Sequence, residues 1–479
     1  MSAIQSIAGP IPSEGPPCPK GPLYSSREFH QSILWRILVD HGEHFLRTYE
    51  SRFGESHGPL PPQAEKVIDK LVRCGDPNYG LTLLHCADCN IHLAVPFSCK
   101  TRICPSCINR RAECLSHSLS EKLPVGDYRH LVVTLPKKMG LRKRFQLDTR
   151  LHRQIGRLVH RVIGRWMSTQ IGCHRNRREE KERARPGIIM VVQSFGAGLK
   201  SHVHFHILVS DGVYFPDGSY YALGYWDEPA LLRQLRHSIL KSLVARKCLQ
   251  SETAEVMESW PLERSGFSAF VGTAINQPTD RDRLERVLRY IFRPSLPLKH
   301  LSYRESTGQV TYSQPGAVAK MWPHASDFLA DWVQHVPRAK QHQVTYAGWF
   351  ANALGKLNPK KVNADSPNLE VPKPKWVRWR ALVLRTWAVD PELCPQCRKQ
   401  MKRAKALFEK HELQRLLKNL GIGRYPIRPP SSLLTETGGE NPKGRSPPPQ
   451  EPDQSIDADS HFSDDQNQAP PGWEEWDAA

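Results

Sequence analysis

Three segments of the chain repeat apolar residues every three or four positions, the spacing of one helix face. In "EFHQSILWRILVDHGEHFLRTYESRF" (28–53) these are Ile33, Leu34, Ile37, Leu38, Phe45 and Leu46. In "FQLDTRLHRQIGRLVHRVIGRWM" (145–167) they are Leu147, Leu151, Ile155, Leu158, Val162 and Trp166. Arg153, Arg157, Arg161 and Arg165 form a basic stripe elsewhere on that second helix. In "DRDRLERVLRYIFRPS" (280–295), Leu284, Val287, Leu288 and Ile291 make the apolar face. That helix is predicted to run from about Thr279 to Phe292 and to stop before Pro294. A fourth helix is predicted from Asp227, an N-cap residue closely followed by Pro229, to about Lys247.

Three other segments are β-branched apolar runs: "RHLVVTLP" (129–136), "IIMVVQSF" (188–195) and "HVHFHILV" (202–209). They read as strands, the last two joined by the turn "GAGLKS" (196–201). Strands mixed with helices predict an α+β sheet domain over about 126–300. A helix and a cysteine-rich region (27–125) precede it, and a mixed C-terminal region (301–425) follows. The ends, 1–26 and 426–479, are Pro-rich, with an acidic stretch in the second, and read as disordered.

Charge narrows the partners. The 479 residues carry 67 Lys and Arg against 48 Asp and Glu, a formal net charge of +19. Such an excess points to nucleic acid or to an anionic membrane surface. No apolar run approaches the ~20 residues that cross a bilayer. The N-terminus lacks the charged start and apolar stretch of a signal peptide. These features favour nucleic acid over membrane, and a cytoplasmic, nucleoid-associated place of action in a bacterial type of cell.

Twelve cysteines add the first chemistry, six of them (Cys86, Cys89, Cys99, Cys104, Cys107, Cys114) within 29 residues. "CADC" (86–89) and "CPSC" (104–107) are Cys-x-x-Cys pairs 14 residues apart, the pattern of a small zinc ribbon. Cys86, Cys89, Cys104 and Cys107 are therefore the expected Zn2+ ligands; the rival reading is buried or oxidised cysteine. Cys74, Cys99 and Cys114, with His85 and His92 nearby, could complete a second site or substitute in the first. "CPQC" (394–397) is half a metal site, with Cys394 and Cys397 as its thiols. Lys100, Arg102, Arg110 and Arg111 flank the first pairs and suit DNA contact, although a solvated basic face would look the same.

In the third strand His202, His204 and His206 share one face, because side chains alternate along a strand. Neutral imidazoles side by side suit a divalent cation. If the preceding strand pairs with it as a hairpin, the side-chain oxygen of Gln193 faces the same cation. Two chemistries fit: a histidine-triad nucleotide hydrolase, with histidine as nucleophile, or a metal-dependent nuclease. The third helix separates them. Arg286, Tyr290 and Arg293 lie three or four apart on its non-apolar side. Neighbouring positive charge favours an ionised phenol, and the same arginines can grip a phosphate.

Taken together, "FSCKTRICPSC" (97–107), "QSFGAGLKSHVHFHILVSDGV" (193–213) and "LRYIFRP" (288–294) resemble the rolling-circle insertion-sequence transposases of the tyrosine HUH-endonuclease superfamily. "HVPRAKQHQVTYAGWF" (335–350) and "CPQC" are weaker matches. The resemblance covers about 30–425. It implies a ferredoxin-like antiparallel sheet, with Mg2+ or Mn2+ on His204 and His206. It implies attack by Tyr290 on single-stranded DNA at element ends and targets, giving a 5′-phosphotyrosine and a free 3′-hydroxyl. Many relatives carry two tyrosines four residues apart on this helix. Here Arg286 occupies the position one turn earlier, which resembles the single-tyrosine branch, unless Tyr303 or Tyr312 supplies a second nucleophile. "KPKWVRWRALVLRTW" (373–387), with Trp376, Trp379 and Trp387 among cations, suits base stacking as well as a core helix. The rival functions are a plasmid relaxase or replication initiator, and a non-catalytic zinc-ribbon regulator.

Overall fold

The computed structural model describes residues 32–420, apart from 137–140, 142–143, 146–147, 171–183, 216–218, 262–266, 268, 278, 315–317, 339–340, 354–379, 381–382 and 384–389. The expected disordered ends and the tryptophans of 373–387 lie outside the described residues. The class is α+β, and the paired strands are antiparallel. No described helix is long and apolar enough to cross a membrane.

The chain opens with helix α1 (Ile33–His57), whose first turn is capped by Ser32 Oγ accepting from the Trp35 N–H at 3.2 Å. A short helix α2 (Ala64–Val72) leads to a hairpin of β1 (Leu81–Cys86) and β2 (Ile91–Pro96). Helix α3 (Pro105–Lys122) follows, with Cys104 at its N-cap and Pro105 in the first turn, where a missing N–H costs nothing.

The central sheet is built from β3 (Gly126–Thr134), β4 (Gly187–Phe195) and β5 (Ser201–Ser210). Helix α4 (Thr149–Gln170) lies between the first two in sequence. A small hairpin, β6 (Gly212–Tyr214) and β7 (Tyr220–Ala222), leads to α5 (Glu228–Ala245) and α6 (Ser251–Ser259). Asp227 caps α5 by accepting from the Ala230 N–H. Two short strands, β8 (Ala269–Val271) and β9 (Ile275–Gln277), pair with β3 before helix α7 (Arg281–Ile291).

Residues 301–420 do not gather in one place. A meander of β10 (Leu301–Arg304), β11 (Gln309–Tyr312) and β12 (Lys320–Trp322), with helix α8 (Ala325–Val333), shares a core with α1. Strand β13 (Val344–Gly348) joins the central sheet, followed by the short helix α9 (Trp349–Ala353). Strand β14 (Lys402–Leu407) pairs with β1 of the N-terminal hairpin, and α10 (Lys410–Asn419) packs Leu413 and Leu417 against Leu81 and Leu83.

The central order is β13-β4-β5-β3-β8. Alternation along the strands gives the sheet two apolar faces, and helices cover both. Leu131, Val133, Met190, Phe205, Ile207 and Val209 face α4, α5 and α6. Tyr128, Ile189, Val191 and Leu208 face α3 and α7. The predicted apolar stripe of α7 is buried there as Leu284, Val287, Leu288 and Ile291. Four such side chains contribute roughly 6–12 kcal/mol of transfer free energy. Burying that stripe fixes the roll of α7 and therefore where Tyr290 points.

Candidate active site and cysteine clusters

The expected hairpin forms. In its register Gln193 opposes His204 and Val191 opposes His206, while Val132 and Thr134 of β3 flank the histidines on the other side. Paired residues project to the same face, so Gln193, His204 and His206 lie on the face covered by α7. All three are buried. His204 Nε2 and His206 Nε2 are 3.1 Å apart. Two ligands at neighbouring corners of an octahedral ion, each at about 2.1 Å, would be about 3.0 Å apart. Gln193 donates its amide N–H to the Ile291 carbonyl at 2.9 Å, which ties β4 to the end of α7. Its Oε1 is buried and has no hydrogen-bond partner among the described residues, an orphaned oxygen of the kind a hard cation accepts. The donor set therefore fits a divalent ion.

Tyr290 stands beside these donors. Its ring stands edge-on to the His206 ring, with centroids 5.4 Å apart. The Arg293 guanidinium lies 4.2 Å from the centre of the tyrosine ring. Arg286, one turn earlier, is exposed. Gln193 and Arg293 also line a cavity of about 190 Å³ that Arg102 and Arg111 border. Tyr303 and Tyr312 belong to the core shared with α1 instead, and Tyr303 Oη is bonded to His41 Nε2 at 2.8 Å.

Sequence reasoning missed His130. Its Nε2 sits 3.0 Å from His206 Nδ1, which leaves Nε2 of His206 turned toward His204. Burial holds the His206 imidazole well below its ordinary pKa, and the charges of His204, His130 and Arg293 act in the same direction. Burial, with Arg293 and His204, brings His130 down to about 3. Both rings are neutral near pH 7, the form that coordinates a cation. The signal for His130 was its register two strands away from Gln193, which only the β3–β5 pairing supplies.

A buried ion network was also missed. Arg289, beside Tyr290, donates to Glu113 Oε2 of α3 at 2.9 Å and lies 3.4 Å from Glu285 Oε1. Ser120 and His117 of α3 approach the other oxygen of Glu285 at 3.5 and 3.9 Å. Helix α3 thus holds the tyrosine helix by charge as well as by packing.

The cysteine pairing expected from spacing is corrected by the structure. Cys86 and Cys89 do not meet Cys104 and Cys107. One cluster is Cys74, Cys99, Cys104 and Cys107; the other is Cys86, Cys89, Cys394 and Cys397. The hairpin explains the exchange. Cys86 and Cys89 sit at its turn, whereas Cys74 precedes β1 and Cys99 follows β2 at the open end. Six-residue strands span roughly 20 Å, so thiols at opposite ends cannot share an ion. Within the first cluster Cys74–Cys104, Cys74–Cys107 and Cys99–Cys107 are 4.0, 3.9 and 3.6 Å apart; in the second, Cys86–Cys397 is 3.5 Å. A tetrahedron with Zn–S bonds of 2.3 Å has edges of about 3.8 Å. Both sets fit structural zinc. Burial pushes the Cys104 thiol well up; a coordinated cation reverses this, because a ligating thiol is deprotonated. Cys114 joins neither cluster.

Comparison with known proteins bears on the zinc-binding region and on the chain as a whole. A family model described as "Transposase zinc-binding domain" matches residues 40–135, and one described as "Putative transposase" matches 187–357. These matches make the chain an insertion-sequence transposase. It is 22% identical over 355 residues to the transposase for insertion sequence element IS801 of Pseudomonas savastanoi pv. phaseolicola, covering 70% of this chain and 82% of that relative. No solved structure gives a significant match. In this transposase the zinc-binding match contains the whole first cluster but only Cys86 and Cys89 of the second.

The basic residues expected to touch DNA divide. Lys100 and Arg111 are exposed, and Arg110 is half-buried. Arg102 is committed to the transposase's own backbone, donating to the carbonyls of Gln341 and, at 3.1 Å, of Arg338.

Proposed function

We propose that this transposase nicks and rejoins single-stranded DNA at mobile-element ends through a 5′-phosphotyrosine on Tyr290, in a ferredoxin-like HUH sheet domain. One observation carries the reading: two histidines 3.1 Å apart, an orphaned Gln193 oxygen on the same face and the Tyr290 ring beside His206 lie together under α7. His204, His206 and Gln193 would hold Mg2+ or Mn2+. When bound, such an ion polarises the phosphodiester and offsets charge on its oxygens.

The residues of the chain do the rest. His130 orients His206 through Nδ1, a supporting role that commonly changes metal affinity 10- to 100-fold (roughly). Tyr290 Oη attacks phosphorus, and the bond from phosphorus to the 3′-oxygen breaks. The phenol proton leaves, and the departing 3′-oxygen gains one. The new ester conserves the energy needed for rejoining to a later 3′-hydroxyl. Arg293 presents positive charge to the phosphate, with Arg111 at the mouth of the cavity. Arg286, exposed on α7, would act on DNA outside the pocket. The zinc-binding region carries the DNA contacts of Lys100, Arg110 and Arg111.

The test is a denaturing gel of protein incubated with labelled single-stranded element ends and Mn2+. A covalent adduct should form, vanish in Tyr290→Phe, and be prevented by EDTA. An adduct that persists in Tyr290→Phe moves the nucleophile elsewhere. A protein that binds the ends but yields no adduct on any of them is a regulator.

A further inference from the structure

A second groove lies on the opposite side of the sheet edge from the Tyr290 pocket. Its volume is about 860 Å³. Arg150, Arg153 and Arg157 of α4 line one wall, and Arg338 with Thr345 and Tyr346 line the other. Among the described residues Arg150, Arg153 and Arg157 have no carboxylate partner, and all three are exposed. The one acid of the lining, Asp148, is used locally: its Oδ1 accepts from the N–H groups of Arg150 and Leu151 at the start of α4. Helix α4 carries no Asp or Glu at all. Like charges four apart destabilise a helix by a few tenths of a kcal/mol per pair. A stripe of them without acids, facing a guanidinium across a groove, is therefore an unfavourable arrangement unless an anion lies between.

The groove connects with the reaction site. Val192, His342 and Val344 line both this groove and the smaller cavity that holds Gln193 and Arg293. The start of edge strand β13 and the exposed His342 lie where the two meet. The loop at this divide is held by Arg102, whose guanidinium bonds the Arg338 and Gln341 carbonyls.

We propose that the arginine groove binds the phosphodiester backbone of the same single strand, several nucleotides away from the scissile phosphate. The strand leaves the Tyr290 pocket, rounds the sheet edge at His342, and lies between α4 and β13. The inference rests on the single-strand reading above and adds the path. A flexible single strand can turn around a sheet edge, whereas duplex DNA has a persistence length of about 150 base pairs.

The experiment measures equilibrium binding of the full chain, by fluorescence anisotropy, to single-stranded oligonucleotides of increasing length across a salt series. For the wild type, affinity should rise with length until both sites are filled. The triple variant Arg150→Ala/Arg153→Ala/Arg157→Ala should lose roughly tenfold or more in affinity for long oligonucleotides. Its salt slope should fall by about 2, three contacts at about 0.7 each. Its gain from added length should collapse. A second variant, Arg161→Ala/Arg165→Ala, removes charge from the same helix outside the groove and should change these values far less. Equal losses in both variants would mean diffuse attraction and overturn the groove. So would an unchanged length dependence in a triple variant with wild-type thermal midpoint. Absence of single-strand binding by the wild type would instead sink the functional reading itself.

Discussion

The two cysteine clusters have the same donors and opposite origins. In the first, the separation from Cys74 to Cys107 is 33 residues; in the second, Cys86 and Cys397 are 311 apart. Closing the longer loop in an unfolded chain costs about 2 kcal/mol more, from the logarithm of that ratio. The first cluster can assemble around one hairpin as it forms. The second must wait until β14 has paired with β1, which brings Cys394 and Cys397 to the hairpin turn. On loop length alone the first is expected to close early and the second, a clasp, to close last. They also differ in what lies beyond them. Cys104 and Cys107 begin α3, and α3 grips the tyrosine helix. Among the described residues, the second cluster packs with its own sheet and a small core of Leu84, Val95, Val383 and Met401.

The largest effect should come from the first cluster. Structural zinc contributes on the order of 10–16 kcal/mol of apparent binding free energy in small zinc domains. Cys104→Ser should therefore remove one of two zinc ions, lower the thermal midpoint by on the order of 10 °C, and abolish the covalent DNA adduct. Cys394→Ser should also remove one zinc, but with a smaller loss. Leu407, Leu413 and Leu417 still pack on Leu81 and Leu83, so β14 stays partly docked. Limited proteolysis should release the C-terminal piece, while adduct formation continues. Metal analysis, calorimetry and the gel assay check both variants. If Cys394→Ser silences the adduct as fully as Cys104→Ser, the clasp description is wrong.

The link through α3 can be cut without touching a thiol. Arg289→Met removes the buried cation shared by Glu113 and Glu285, which costs about 3–5 kcal/mol. It should reduce the rate of adduct formation and lower the thermal midpoint while the zinc count stays at two. A wild-type adduct rate in this variant would show that α3 holds α7 by packing alone.

These contrasts also explain what the sequence could reveal. The apolar periods of α1, α4 and α7 were legible because each reports a local geometry. So was the β4–β5 hairpin, since "GAGLKS" is short and the strands adjacent. That hairpin alone put Gln193 on the face of the histidines, across the turn from His202; its partner in the register is His204. His130 was not legible: it stands 76 residues before His206, and only strand pairing brings the rings together. The cysteine spacing misled for the same reason. Two Cys-x-x-Cys pairs 14 residues apart look like one ribbon, yet an intervening strand carries them to opposite ends of a hairpin. The fate of residues 301–420, whose strands are divided among three sheets, was equally a matter of long-range contact.

The smallest expected effect tests backbone strain in the clusters. The residues that follow Cys74, Cys89, Cys99 and Cys397 all have positive φ: Gly75 at 76°, Asn90 at 53°, Lys100 at 52° and Arg398 at 59°. Each turns the chain sharply after a ligand. Glycine accepts this at no steric cost, and asparagine tolerates it; a long side chain costs about 1–2 kcal/mol. Against that, glycine loses more backbone freedom on folding, by about 0.5–1 kcal/mol. Arg398→Gly should therefore stabilise the second cluster by up to about 1 kcal/mol, a rise of a degree or two in the thermal midpoint. Asn90→Gly, at the same cluster, should be near neutral because asparagine already relieves most of the strain. Equal shifts in the two variants would mean that the turn after Cys397 stores no strain that a side chain can report. A shift confined to Arg398→Gly would show that the late-closing clasp holds its second half against a conformational cost, which its metal must offset.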